Sequence, residues 1–113
     1  ELGLSTLNLN LHLSRELLEI PITKRSLVAS GLVQDLVNSY QEEFLLLYNI
    51  ELLFQPELRL DPLTLVENIS RSKGLVVAWN GHYNQGVLSY AIPGHSEYRS
   101  YSEVDAEVLL LDR

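Results

Sequence analysis

Apolar and polar residues alternate strictly where the pattern first becomes readable: Leu7, Leu9, Leu11 and Leu13 are separated by Asn8, Asn10 and His12. A period of two puts the leucines on one face, so Leu7–Leu13 is predicted as a half-buried strand near a sheet edge or a crevice. Ser14 reads as the N-cap of a short helix carrying Leu17 and Leu18, which Pro21 terminates. After Ser26 the period lengthens. Val28, Leu32, Val33, Leu36, Val37 and Tyr40 fall on one stripe of a helix. Gly31 weakens that helix by about 1 kcal/mol relative to alanine, so the stripe must be well packed.

Phe44-Leu45-Leu46-Leu47 is a continuous apolar run, the pattern of a strand covered on both faces. A second apolar segment, Ile50–Phe54, ends at Gln55-Pro56. Asp61-Pro62 is a strong helix start, a capping carboxylate followed by proline at the first helical position. Pro62, Leu65, Val66 and Ile69 form the buried face of that helix, and Lys73-Gly74 is predicted to end it. Leu75–Trp79 is another continuous apolar strand, Val87–Ala91 alternates, Pro93-Gly94 is a turn, and Val108–Leu111 is a final apolar run. Strand, helix, strand, helix, strand is the order of an α/β sheet with parallel central strands.

At 113 residues the chain suits a single α/β domain, 1–113, and its 46% hydrophobic and 20% charged residues are those of a globular chain. A formal charge of -7 argues against direct nucleic-acid binding, which needs a clustered cationic surface. The absence of cysteine excludes a disulfide framework, a thiolate zinc site and a cysteine nucleophile. No apolar run approaches the roughly 20 residues of a membrane-spanning helix, so no membrane partner is expected and a cytoplasmic location is. The sequence also contains no methionine and opens Glu1-Leu2-Gly3, which raises the expectation of a lost or removed N-terminal segment.

In open parallel sheets, ligands gather beyond the carboxyl ends of the strands. Two such ends are readable: Tyr48-Asn49-Ile50-Glu51 and Asn80. Gly81 to Gly86 has the glycine spacing of a phosphate-binding loop, but Val87-Leu88 follow where Lys and Ser or Thr are required, so it is predicted as a plain loop. His12, His82 and His95 are far apart. A site of His82, His95 and Glu97 is conceivable, but turn and loop polarity explains these residues better, and no metal is expected. No Gly-x-Ser-x-Gly elbow is present, and the adjacent Glu42 and Glu43 do not face one another as an acid–base pair would. Tyr90, Tyr98 and Tyr101, with Arg99 among them, could form a stacking surface, though covering of a sheet edge or a protein contact is the commoner role.

Four stretches together carry a family resemblance. They are Leu7–Leu11 running into Leu13-Ser14-Arg15-Glu16-Leu17-Leu18, Asn49–Phe54, Leu75–Trp79, and Tyr90–Arg99. In these, and over nearly all its length, the chain resembles the small P-loop-containing BrxF-like family of BREX-type bacteriophage-exclusion systems. The resemblance implies a P-loop NTPase fold with a partly parallel sheet, a bacterial cytoplasmic setting, and a role in phage defence beside other defence-system proteins. It makes Phe44–Leu47 the Walker B strand, with Tyr48 and Asn49 at its degenerate nucleotide-binding end. Glu51 becomes a catalytic candidate just past Walker B, and Asn80 a sensor-like residue on the next strand.

Two departures stand against nucleotide hydrolysis. The family's Walker A loop precedes the Leu7 segment, and no Gly-x-x-x-x-Gly-Lys-[Ser/Thr] occurs in this sequence. The Walker B aspartate position reads Tyr48. Both protein ligands of the magnesium ion are thereby missing. The resemblance implies ATP and Mg2+ only where a Walker A region is present; this chain alone is expected to take no cofactor. The expectation is an N-terminally truncated or degenerate member, lacking the first strand, P-loop and helix, whose exposed sheet recruits another chain or leaves it marginally stable. Two other readings stand beside it. One is a non-enzymatic α/β adaptor or scaffold that assembles with itself or with larger partners. The other is a small-molecule enzyme using Asn8, Asn10, His12 and Glu51 around the strand ends.

Overall fold

A computed structural model describes residues 4–108. The elements run β1 (Leu4–Asn8), α1 (Leu9–Leu18), α2 (Arg25–Asn38), β2 (Phe44–Tyr48), α3 (Pro62–Ile69), β3 (Gly74–Val77), β4 (His82–Asn84), β5 (Val87–Tyr90) and β6 (Arg99–Tyr101). Short 3-10 turns occupy Ile22–Lys24, Glu51–Phe54 and Pro56–Leu58. Strands β1, β2 and β3 form a parallel sheet in that order, with Leu7 beside Leu47 and Leu47 beside Val77. Strands β4, β5 and β6 form a separate antiparallel sheet. The α/β expectation with parallel central strands therefore holds for β1–β3. Of the predicted final run, Leu109–Leu111 lie outside the described residues.

The Leu7–Leu13 alternation does not make one strand. β1 stops at Asn8, whose backbone is extended and whose Oδ1 accepts the Leu11 N–H at 3.2 Å, capping α1. A spacing of four is also a multiple of two, so Leu9, Leu13 and Leu17 satisfy both periods; in the helix they form its buried stripe. Leu11 is left 41% exposed on the opposite side. Ser14 is not a cap but an interior residue of α1, its hydroxyl donating to the Leu11 carbonyl at 3.0 Å. The helix does end ahead of Pro21.

Helix α2 buries Ala29, Val33 and Val37, flanked by half-buried Leu32, Leu36 and Tyr40. Asp61 caps α3 by accepting the Thr64 N–H, and Pro62, Leu63, Leu65, Val66 and Ile69 face the core. Lys73 and Gly74 do not terminate that helix, which stops at Ile69. The Lys73 ammonium donates to the carbonyls of Tyr40 and Glu42, tying the entry of β2 to that of β3. Gly74 opens β3 opposite Phe44, whose ring lies where a side chain at 74 would go. The segment from Gly81 to Gly86 is also not a plain loop. It contains β4 and a tight turn at Gln85 and Gly86, both left-handed (φ 54° and 81°), as a two-residue hairpin needs.

Among the described residues the sheet is covered on one side only. Successive parallel crossovers are right-handed, and both advance in the same direction across β1, β2 and β3, so α1, α2 and α3 fall on one face. Burial agrees: Leu7, Leu45 and Leu47 are buried beneath the helices, with Leu75 and Val77 packed against the same core. On the other face Thr6 and Ala78 are exposed, as are Phe44 (48%), Tyr48 (37%) and Val76 (53%), with Leu46 half-buried between them. Among the described residues nothing supplies the two-sided cover predicted for Phe44–Leu47.

The antiparallel sheet closes the core at its other end. Leu88 is buried, and Tyr90 stacks on Phe54 with ring centroids 3.7 Å apart. Trp79 meets Phe54 and Tyr101 edge-on, and its indole N–H donates to the Ser89 carbonyl at 2.9 Å. The tyrosines Tyr90 and Tyr101 thus serve as cover for the sheet junction.

Candidate functional site

All three parallel strands deliver a polar residue to one place beyond their carboxyl ends. After β1 the chain turns directly into α1, which sets Asn10 in its first turn. After β2, Asn49 adopts the left-handed conformation (φ 53°), and its carbonyl accepts the Asn10 N–H at 2.8 Å. That turn starts the 3-10 segment carrying Glu51. After β3 the backbone continues beside β2, with the Ala78 N–H donating to Leu47, and reaches Asn80.

Glu51 is held between two amides. Asn10 Nδ2 donates to Oε1 at 2.9 Å, and Asn80 Nδ2 donates to Oε2. The Asn10 amide is used at both ends, its Oδ1 accepting the Leu52 N–H at 2.8 Å. Asn10 and Glu51 are half-buried, while Asn80 is exposed.

Beside Asn80 an open cleft of about 460 Å³ is lined by Tyr90, Ala91, Ile92, His95 and Glu97. Burial, and then the negative charges of Glu97 and Glu51, push the Tyr90 phenol above its ordinary value, so the hydroxyl stays protonated. His95 Nδ1 accepts the Glu97 N–H at 3.0 Å. The cleft can offer a ligand carboxylate and amide oxygens, a neutral phenol and the apolar surface of Ile92.

Of the sequence-predicted residues, Glu51 and Asn80 are brought together, and Asn49 supports them through its carbonyl. Tyr48 lies apart, on the uncovered face of the sheet. Asn8 is spent on the helix cap, and among the residues proposed for a small-molecule enzyme only Asn10 and Glu51 meet. Among the described residues no group of three His, Asp or Glu side chains is placed to hold a metal ion, so His82, His95 and Glu97 do not form one. The small-molecule reading groups Asn10 with Glu51, but a strand over Leu7–Leu13 gives no geometry for their contact. A helix start at Leu9 would have placed Asn10 at the strand ends.

The groups implied by the family resemblance do not fit this donor set. Magnesium requires a near-octahedral set of oxygens, yet both Glu51 oxygens and the Asn49 carbonyl already accept hydrogen bonds, and Tyr48 offers only a phenol. A triphosphate requires a cradle of backbone N–H groups and a lysine, which the three strand ends do not supply.

Fold and site together define an α/β protein with three parallel strands and a hydrogen-bonded Asn–Glu–Asn cluster at their carboxyl ends. No family model matches the chain, and no curated protein or solved structure shows significant similarity to it. Among the described residues no helix is long and apolar enough to cross a membrane.

Proposed function

We propose that this chain is a BREX-type phage-defence protein of the P-loop NTPase class, and that it does not hydrolyse ATP by itself. The observation that carries the reading is the Glu51 carboxylate held by Asn10 and Asn80 across the carboxyl ends of three consecutive parallel strands. A glutamate past the second strand and an asparagine past the third are what the resemblance requires of a catalytic residue and a sensor. The departures are also specific: Tyr48 stands for the aspartate, and no Gly-x-x-x-x-Gly-Lys-[Ser/Thr] occurs in the sequence.

With ATP and Mg2+, the purified chain is expected to release no phosphate above background. Magnesium-dependent turnover that disappears in Glu51→Gln would overturn the non-catalytic assignment. The coding sequence preceding Glu1 tests the assignment to the family. An in-frame Gly-x-x-x-x-Gly-Lys-[Ser/Thr] there would mark a truncated member, and its absence a degenerate one.

The uncovered apolar sheet face favours a second reading: a non-enzymatic α/β adaptor that assembles with itself or with larger defence-system partners. Light scattering across a range of concentrations, with affinity capture, tests it. A strict monomer that retains no protein would remove this reading.

A further inference from the structure

Asn80 is the exposed arm of the Asn–Glu–Asn cluster, and the residue that follows it is Gly81. The backbone nitrogen after an asparagine can close a succinimide ring on the asparagine Cγ. The side chain of that following residue normally obstructs the approach, and glycine has none. The other asparagines are followed by Leu9, Leu11, Ser39, Ile50, Ile69 and Gln85, each of which sets a Cβ beside the attacking nitrogen. Asn10, Asn38 and Asn68 are further fixed within α1, α2 and α3.

Local structure leaves the same peptide open. Residues 79–81 lie between β3 and β4, outside both strands. Among the described residues the Gly81 N–H donates to no backbone carbonyl, so its proton is free to exchange with solvent. What restrains the carboxamide is the clasp itself, because Asn80 Nδ2 donates to Glu51 Oε2. Glu51 therefore governs how often the Asn80 side chain can turn toward its own backbone.

We infer that Asn80 is a deamidation site, through which the cluster passes slowly and irreversibly from an amide-held glutamate to a pair of carboxylates. The Gly81 nitrogen loses its proton and bonds to Asn80 Cγ. The Cγ–Nδ2 bond then breaks, and that nitrogen leaves as ammonia, taking up the proton. Water opens the ring at either carbonyl, which leaves aspartate or isoaspartate at position 80. Water is the only co-reactant, so the step needs no nucleotide. A carboxylate at 80 has no N–H to give Glu51 and repels it, so one arm of the clasp opens while Asn10 keeps the other. The isoaspartate product also lengthens the backbone by a methylene group beside Gly81. Space is short there, since an added Cβ would already meet the Ser89 carbonyl and the Trp79 indole nitrogen.

The test holds the folded 113-residue chain in mildly alkaline buffer and maps it by peptide mass spectrometry at intervals. Asn80 is expected to gain about 1 Da at least about tenfold faster than any other asparagine, with fragment ions separating it from Asn84. Mildly acidic buffer should slow the gain, because the Gly81 nitrogen must lose its proton. Asn80→Gln should abolish it at that position. Glu51→Ala, which frees the carboxamide, should speed it at least about threefold. Carbodiimide labelling reads the clasp: Glu51 is expected to label at least about twofold faster in the converted chain and in Asn80→Asp than in the parent. Exposed Glu57 should label equally in all three. Asn80 converting no faster than the other asparagines would overturn the site, as would conversion confined to chain unfolded in urea. An unchanged rate in Glu51→Ala would overturn the restraint by Glu51. Unchanged Glu51 labelling in Asn80→Asp would overturn the opening of the clasp.

Discussion

Gly81 shows how one position can fix the junction between the two sheets. A Cβ there would collide with the Ser89 carbonyl and come within 2.7 Å of the Trp79 indole nitrogen, the two partners of a hydrogen bond across the junction. Neither partner can yield cheaply, because Trp79 is wedged edge-on between Phe54 and Tyr101. Gly81→Ala is therefore expected to destabilise the protein by about 1–3 kcal/mol, mainly through forced displacement of the indole. Urea unfolding followed by tryptophan fluorescence measures both effects, since Trp79 is the single tryptophan. Gly86, with open space around its missing Cβ but a φ of 81°, would suffer from backbone strain instead.

Elements set by neighbouring residues were legible in the sequence; those set by distant partners were not. Asp61-Pro62 announces α3 because capping and the fixed proline φ are satisfied within one turn. Leu7–Leu13 misled because two periods share the four-residue spacing, and only the helix places Asn10 against Glu51, 41 residues away. The start of α3 carries a second task, which gives it a pH signature. Asp61 Oδ1 also accepts the Tyr101 hydroxyl at 2.8 Å. Burial first, and then this hydrogen bond and the charge of Asp61, raise the Tyr101 phenol above its ordinary value of 10.0. The unfolded phenol ionises near that value while the folded one keeps its proton. The resulting stability is complete below about pH 10 and is lost as pH rises toward the folded value. Tyr101→Phe is expected to make the decline in stability between about pH 9 and about pH 11 shallower. Asp61→Ala should make it partly shallower and cost about 1 kcal/mol at neutral pH from the lost cap. Denaturant titrations at the two pH values check both.

At the scale of the whole molecule the chain is a slab of 42 × 40 × 25 Å, one layer of sheet and one of helices, with the second sheet at one end. That shape divides adjacent residues of the parallel sheet into opposite classes. Leu47 is fully buried under the helices, so Leu47→Ala is expected to cost about 2–5 kcal/mol through the cavity it leaves. Val76, on the other side and 53% exposed, has little packing to lose in this chain. Val76→Lys should change its stability by less than about 0.5 kcal/mol. Urea unfolding of the 113-residue chain is therefore expected to give Val76→Lys a midpoint close to that of the parent, against a clear fall for Leu47→Ala. A loss of stability like that of Leu47→Ala would mean that Val76 is already covered, and the sheet would then have to be read as closed on both sides.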